Sequence, residues 1–175
     1  MAKTNIYLWL KGIDGESLDT GLTKSHLGPP NHQGWIEIDN VGWSATNDAS
    51  YKIGDPGKAK GGKSQAQIGN ITVTKPCDLS SVALMRNCVL GSGIGSGIIS
   101  FMKLDGETSV EYFRIELKKI MVSSVGYLGA SEDWKETVIL KFSEFKEFYK
   151  LQKNLPDSPG GRGDFGWDSA FQTPT

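Results

Sequence analysis

The sequence is poor in cysteine, in long apolar runs and in net charge. Its two cysteines among 175 residues, Cys77 and Cys88, exclude a disulfide-stabilised scaffold. We expect two buried thiols, although their spacing alone leaves a bridge between them open. No run approaches the roughly 20 apolar residues of a membrane-spanning helix, so no membrane insertion is expected. The 20 acidic and 19 basic residues nearly cancel, which predicts no general attraction to nucleic acid.

The start of the chain lacks the pattern of a secretory signal. Its first apolar run has only five residues, 6–10, where a signal has about 7–15 before a small-residue cleavage site. We therefore expect the chain to be made in the cytoplasm. Any export would use a route that reads no such signal.

Much of the chain shows the two-residue period of a strand with one buried face. In the first such segment, 6–10, three aliphatic residues alternate with Tyr7 and Trp9. Similar patterns predict strands at 34–43, 71–74, 98–104, 110–126 and from about 137. The aromatic residues at 145–149 break the period, and there we favour a bulged strand over a helical turn.

One helix is predicted at about 79–90. Asp78 precedes it as the N-cap, and Gly91 follows at the position where left-handed backbone commonly ends a helix. The helix carries an apolar stripe that can lie on a sheet, formed by Val82, Leu84, Met85, Cys88 and Val89. Six or more strands with one helix predict a mainly β fold, a compact sandwich or barrel with a flanking helix.

Three segments lack this periodicity. The segment 45–67 is predicted to be a long loop, and the glycine-rich run 91–97 a flexible connector. After Asn154 the chain is rich in proline and glycine, which indicates a linker or tail. We therefore expect one domain over residues 1–155 and a C-terminal segment over 156–175.

The string GKAKGGKS at 57–64 matches the phosphate-binding motif G-x-x-x-x-G-K-[ST] letter for letter. That motif needs a buried strand before it and a helix after it, because the helix N-terminus supplies N–H donors to the phosphates. Here the preceding residues are polar, and the following ones lead into a strand. A charged contact loop is our preferred interpretation, and nucleotide binding through Lys63 and Ser64 is the alternative.

The remaining polar residues carry no specific chemical signature. His26 and His32 match no zinc spacing and are expected to be solvated loop residues, while a Ser-His-Asp triad of distant residues stays open. Lysines and carboxylates alternate between Glu116 and Lys150, which is typical of a solvated face or of a polar subunit contact. We predict no cofactor, no metal site and no enzymatic activity.

Several segments, taken in order, resemble the Hcp family, the tube protein of bacterial type VI secretion systems. They are IYLWLKGIDGES at 6–17, HQGWIEI at 32–38, the strand and helix of 71–91, YFRIELKKI at 112–120, 136–150, and GWD at 166–168. The likeness covers about two-thirds of the chain. The segments 18–31 and 45–67 and the tail from Pro156 match the family poorly.

The resemblance implies a small β-barrel of two sheets with one flanking helix, assembled into hexameric rings that stack into a tube. The implied partners are further copies of the chain, the sheath, spike and baseplate proteins of the machine, and small effector proteins in the lumen. It also implies assembly in the bacterial cytoplasm and export without a signal peptide.

Six residues are predicted to make contacts between subunits or between rings, because they are lysines of the charged loop or tryptophans suited to interfaces: Lys52, Lys58, Lys60, Lys63, Trp35 and Trp43. The alternatives are a nucleotide-binding protein that uses the 57–64 loop and a stand-alone β-sandwich binding module that uses Trp35 or Trp43.

Overall fold

The computed structural model of the chain describes residues 5–23, 25–47, 66–105, 108–130, 133–150 and 162–175. This part contains twelve strands and one helix: β1 Ile6–Leu10, β2 Ile36–Ile38, β3 Asn40–Gly42, β4 Ala45–Asn47, β5 Ala66–Ile68, β6 Ile71–Pro76, α1 Ser80–Leu90, β7 Gly93–Asp105, β8 Thr108–Ala130, β9 Asp133–Lys141, β10 Glu144–Lys150, β11 Arg162–Asp168 and β12 Thr173–Pro174. The prediction of a mainly β fold with one flanking helix is confirmed.

Ten of the strands form one antiparallel sheet. Its main path runs β12-β11-β10-β8-β7-β1-β2, and a branch from β8 continues through β9 and β6 to β3. Because only Asp39 separates β2 from β3, the segment 36–42 pairs with β1 through its first half and with β6 through its second. The last strand of the main path, β2, and the last strand of the branch, β3, are therefore covalent neighbours, and the sheet curls around its core like a barrel. Strands β4 and β5 form a separate two-stranded sheet.

Strand β8 is long enough, at 23 residues, to serve both halves of the sheet. Its first half pairs with β7 and β10, and its second half pairs with β9. The change occurs near Lys119, which has a positive φ of 53° that residues with a side chain rarely adopt. Opposite this point, residues 142–143 separate β9 from β10. The segment 144–150 is a strand, as favoured over a helical turn, but its register with β8 and β11 is regular, so the expected bulge is wrong.

Leu79 directly precedes α1 and makes no side-chain cap bond, but it already has helical backbone angles (φ −53°, ψ −34°), so the capping bonds come from Asp78 before it, the predicted N-cap. Asp78 Oδ1 accepts the backbone N–H of Ser80 at 2.9 Å, and the Ser81 hydroxyl accepts that of Asp78 at 2.9 Å. Such reciprocal bonds satisfy donors that a helix N-terminus would otherwise leave unpaired. At the other end Gly91 has a φ of 62°, and its N–H and that of Ser92 bond to carbonyls of the last turn.

The predicted apolar stripe of α1 is partly wrong. Ser81 and Leu84 are buried against the sheet, whereas Val82 and Val89 are each 76% exposed. Ser81, in the first turn of α1, donates its hydroxyl to buried Glu136 of β9. This bond turns the serine side of the helix toward the sheet, so the apolar stripe does not decide which side is buried. One row of apolar side chains is therefore left on the solvent side.

Three segments predicted to be irregular contain strands. The glycine run belongs to β7 from Gly93 onward, where a Cβ on Gly97 would lie 2.8 Å from Leu10 and Ile120 side-chain atoms. The ends of the predicted 45–67 loop are β4 and β5, and its residues 48–65 lie outside the described part. The expected tail contains β11, which pairs along the whole of β10. In both the run and the tail, glycines interrupt the side-chain alternation on which the sequence prediction depends.

The core occupies the inner face of the curled sheet, and a smaller cluster lies on its outer face. The outer cluster consists of Tyr7, Trp35, Ile98 and Met102, all of which are buried. It is covered by residues 14–34, which we call the strap. The strap approaches so closely that a Cβ on Gly28 would lie 2.9 Å from Ile98 Cδ1. The part of the outer face beneath the strap thus carries a second, smaller core.

Candidate functional site

The strap folds back on itself before it crosses the sheet. Gly15 N–H donates to Gly34 O at 2.8 Å, Gly34 N–H donates to Ser17 O at 2.8 Å, and Thr23 N–H donates to Pro30 O at 2.9 Å. These bonds satisfy much of its backbone without a strand partner. Side chains of the strap therefore make its contacts with the sheet, as Ser25 does with Glu116 and His32 with Ser100.

His32 joins the strap to the sheet. Its Nδ1 lies 2.8 Å from Gly21 O and therefore carries a proton, since a carbonyl can only accept. Its Nε2 lies 2.9 Å from Ser100 Oγ, and that oxygen lies 2.5 Å from Glu111 Oε2, so the single hydroxyl proton of Ser100 serves one of these two acceptors. The ring is fully buried and contacts Tyr7 and Trp35. The expectation of a solvated histidine is wrong for this residue and holds for His26, which is exposed.

A buried arginine connects two carboxylates beneath the strap. Arg114 NH1 lies 2.9 Å from Glu111 Oε1, and Arg114 Nε lies 3.1 Å from Glu116 Oε1. Glu116 also accepts the hydroxyl of Ser25 in the strap at 2.9 Å. The alternating charges of β8 at these positions were expected to face solvent or another subunit. They face the strap instead, because it supplies hydroxyl and imidazole partners that offset their removal from water.

The burial of His32 has a consequence for stability against pH. Removal from water lowers the pKa of its imidazole below the ordinary 6.5. The hydrogen bond to Gly21 and the charges of Asp19 and Glu111 raise this pKa, but their effect is smaller. Above pH 6.5 the ring is neutral in both the folded and the unfolded chain. Below pH 6.5 the unfolded chain binds a proton at this ring more readily than the folded chain does, because the folded pKa is lower. We expect the free energy of unfolding to fall on acidification, by up to about 1.4 kcal/mol per pH unit for this one group.

Urea denaturation at pH 7.5, 6.5 and 5.5 measures this slope. His32→Gln is expected to lose the part of the acid slope that the histidine causes, and His26→Gln, at an exposed ring, is expected to keep it. An unchanged slope in His32→Gln would show that the buried ring is not the titrating group.

A second buried network joins the start of α1 to the sheet. Lys75 Nζ, on β6, lies 2.5 Å from Glu136 Oε1 on β9 and 2.8 Å from Asp78 Oδ1. Ser81 donates its hydroxyl to the same Glu136 oxygen at 2.8 Å. Lys75 and Glu136 are completely buried. The network therefore ties one helix end to two strands, and no sequence motif indicates it.

Two of the six predicted contact residues lie in the described part. Trp35 is 1% exposed and belongs to the outer cluster under the strap. Trp43 is half-buried against Phe142 and Phe145 and donates its indole N–H to Gly69 O at 3.1 Å. The four lysines lie outside the described residues. Contacts of all six with another subunit stay a prediction.

The described surroundings of the 57–64 string do not suit a phosphate-binding loop. Residues 45–47, before it, form an exposed three-residue strand, and residues 66–68, after it, form the partner of that strand. A phosphate-binding loop has a buried strand before it and a helix after it. The string itself lies outside the described residues.

Two features of the described residues concern their chemistry: how side chains that could bind a metal ion are grouped, and the state of the two cysteines. Within the described ranges no three histidine, cysteine or acidic side chains are grouped so that they could hold a metal ion. Both cysteines are free, with Cys77 exposed and Cys88 half-buried, so the expectation of two buried thiols is wrong. Within the described residues, no helix is long and apolar enough to cross a membrane.

Exposed apolar side chains are the most distinctive surface feature. They include Leu79, Val82, Trp134, Tyr149 and Phe165, each at least 46% exposed. Isolated exposed apolar residues are normal, but groups of them on one chain mark surfaces that other proteins cover. A barrel whose described surface carries groups of exposed apolar side chains belongs to the class of proteins that act by assembly.

Comparison with known proteins agrees with this class. The family model described as "Type VI secretion system effector, Hcp" matches residues 7–149. The chain belongs to this Hcp family, whose members are secreted tube proteins of type VI secretion systems and not enzymes. It is 28% identical over 166 residues to Protein hcp1 of Pseudomonas aeruginosa, covering 94% of each chain.

Solved structures show the same fold. A structure described as that of a type six secretion system protein has a TM-score of 0.78 at 24% identity and covers 99% of this chain and 100% of its own. Hcp1 from Salmonella typhimurium has a TM-score of 0.72 at 24% identity and covers 97% of each chain. The match to the family model confirms the resemblance stated from the sequence segments, and with it the function of a type VI secretion tube protein.

Proposed function

We propose that the chain assembles into hexameric rings that stack into a tube, and that the tube carries small effector proteins in its lumen. The observation that supports this most is the exposed apolar surface on a barrel of the Hcp family. A chain of 175 residues has enough core to fold alone, so these side chains are not needed for folding. Contact with further copies removes them from water.

A ring forms when two different surfaces of each subunit contact its two neighbours. Two different surfaces of a subunit meet in a heterologous contact, and rotation closes such contacts into a ring. The sheath, spike and baseplate proteins are the further partners of the tube. Export from the cytoplasm takes place with the machine itself.

The mass of the protein in solution tests this proposal. We expect a particle of six chains of 19.0 kDa each, seen by negative-stain microscopy as a ring with an open centre. A monomer at micromolar concentration would contradict the proposal.

The ring is expected to persist when residues 58–63 are shortened, while stacking or secretion is impaired, because those lysines are proposed to contact the next ring. Loss of the ring itself would contradict that role of the lysines.

A further inference from the structure

Helix α1 is apolar on the side that faces water as well as on the side that faces the sheet. Leu79, Val82, Val89 and Leu90 are 63%, 76%, 76% and 64% exposed, and Arg86 is exposed among them. Arg86 is the one charged residue of this helix. The solvent side of a surface helix normally carries several charged or polar residues. The solvent side of α1 therefore has the composition of a surface that another chain covers.

These five residues form one row along the helix, which we call the outer row. Leu79 has helical backbone angles although it precedes α1, so the row begins there. From Leu79 the positions advance by three, four and three residues to Val82, Arg86 and Val89, and Leu90 lies beside the last. This is the spacing of the apolar seam along which two helices pack. The outer row thus suits a helix as its partner.

The outer row is held in place from the buried side of the helix. Ser81 donates its hydroxyl to buried Glu136 at 2.8 Å, and Lys75 binds the same carboxylate. At the other end of the helix, the backbone N–H groups of Gly91 and Ser92 bond to carbonyls of the last turn. A surface that is already ordered loses less conformational entropy when it binds. The outer row is therefore ordered before a partner arrives.

Arg86 decides which charge the partner must carry. No hydrogen bond or ion pair joins its guanidinium to another described residue. The carboxylates bonded to α1 lie at the start of the helix, where Glu16 accepts the N–H of Leu79 and Asp78 accepts that of Ser80. Leu79 is seven residues before Arg86, about 10 Å along the helix axis. A carboxylate supplied by the partner would offset the removal of this cation from water.

The α1 helix of a second copy cannot supply that carboxylate. It contains no aspartate or glutamate, and it is the one helix among the described residues. Parallel pairing of two copies would place Arg86 against Arg86, and antiparallel pairing centred on the row would place Arg86 against Val82. Both leave the cation covered without a counter-charge, which is strongly unfavourable. Further copies suit the exposed apolar groups elsewhere on the barrel, whereas the outer row suits a different protein.

We propose that the outer row of α1 docks an amphipathic helix of another protein, and that this helix places one carboxylate opposite Arg86. The partner helix has aliphatic residues at heptad spacing with one glutamate or aspartate among them. The apolar contacts supply buried area, and the arginine–carboxylate pair selects the partner and fixes its register. This docking surface is independent of ring assembly, because a single chain presents the whole outer row.

Two synthetic peptides test this docking surface. Each has about two heptads with leucine at the a and d positions, and they differ only at one central position, which is glutamate in one peptide and lysine in the other. Peptides this short are mostly unfolded alone and gain helix when they bind, which circular dichroism detects. We expect fluorescence anisotropy to give a dissociation constant at least roughly tenfold lower for the glutamate peptide than for the lysine peptide.

Substitutions in the chain locate the contact. Arg86→Glu is expected to reverse the preference, so that the lysine peptide binds more tightly, and Val82→Glu is expected to weaken the binding of both peptides at least roughly tenfold. Leu22→Glu is the matched control, because Leu22 lies on the strap and is 73% exposed, close to the exposure of Val82. It is expected to leave both dissociation constants unchanged. Circular dichroism checks that each variant keeps its β structure.

The outcomes separate the docking surface from the proposed function. If the unsubstituted chain is a monomer, the ring function fails, and the peptide measurements still stand. If neither peptide binds, or if the unsubstituted and Arg86→Glu chains prefer the same peptide, the docking surface is overturned. It is also overturned if Val82→Glu changes the mass of the particle that the chain forms by itself, because a second copy then covers the outer row.

Discussion

Replacing Lys75 by alanine is expected to lower the free energy of unfolding by about 3–5 kcal/mol. Its ammonium group is completely buried and bonds to Glu136, Asp78 and the carbonyl of Pro76. Alanine removes these partners and leaves the Glu136 carboxylate buried without its counter-charge. The cost of that unpaired charge exceeds the modest net value of the pair itself. Urea denaturation at one fixed protein concentration measures the change, because assembly also shifts the apparent stability.

Two controls separate the buried charge from the general loss of a side chain. Lys75→Met combined with Glu136→Leu removes both charges and is expected to recover most of the stability, because apolar side chains of similar volume fill the space. Lys135→Ala breaks the partly exposed pair with Asp39 and is expected to cost no more than about 1 kcal/mol. If the double variant were as unstable as Lys75→Ala, the buried charge would not be the cause.

Replacing Gly15 by alanine is expected to destabilise the strap by about 3 kcal/mol, the upper end of the range for overpacking. An added Cβ would lie 2.6 Å from Ile36 Cα and closer still to the carbonyl oxygen of Trp35. Both are backbone atoms, which cannot rotate away as a side chain can. The strap would have to move off the sheet, and buried Trp35 would gain exposure to water. Tryptophan fluorescence and urea denaturation report the two effects.

Gly93→Ala is the matched control for this prediction. Gly93 lies at the start of β7, and a Cβ there would meet no atom within 4 Å. The same chemical change is therefore expected to alter stability little. Equal effects at the two positions would show that the close approach at Gly15 is not responsible.

Local chemistry explains why the helix could be predicted so closely. A capping residue, a terminal glycine and a run of helix-forming residues are all adjacent in the chain, and Asp78 and Gly91 have the predicted roles. The strands at 6–10 and 71–76 were recognisable for the same reason, since their alternation is complete within one segment. Strand β11 was missed because glycines replace the side chains that would have shown a period.

The buried polar networks could not be predicted in this way. Glu111 is 79 residues from His32, and Glu136 is 61 residues from Lys75, so no spacing in the chain reveals that they meet. Arg114 and Glu116 have the alternation of a solvated strand face and are buried only because the strap crosses them. The exposure of Val82 and Val89 was misjudged because it depends on which side of α1 the sheet covers.

The sequence by itself determined the balanced charge, the strand and helix content, the caps of α1 and, through an ordered set of segments, membership of the Hcp family. These properties depend on composition and on neighbours within a few residues. Only the tertiary structure decided that the strap covers a second cluster on the outer face of the sheet, that His32 and Lys75 are buried, and which apolar side chains stay exposed. Burial is a property of residues brought together from distant parts of the chain, and pairing of strands sets it. The exposed apolar surface that supports assembly is therefore a product of the fold.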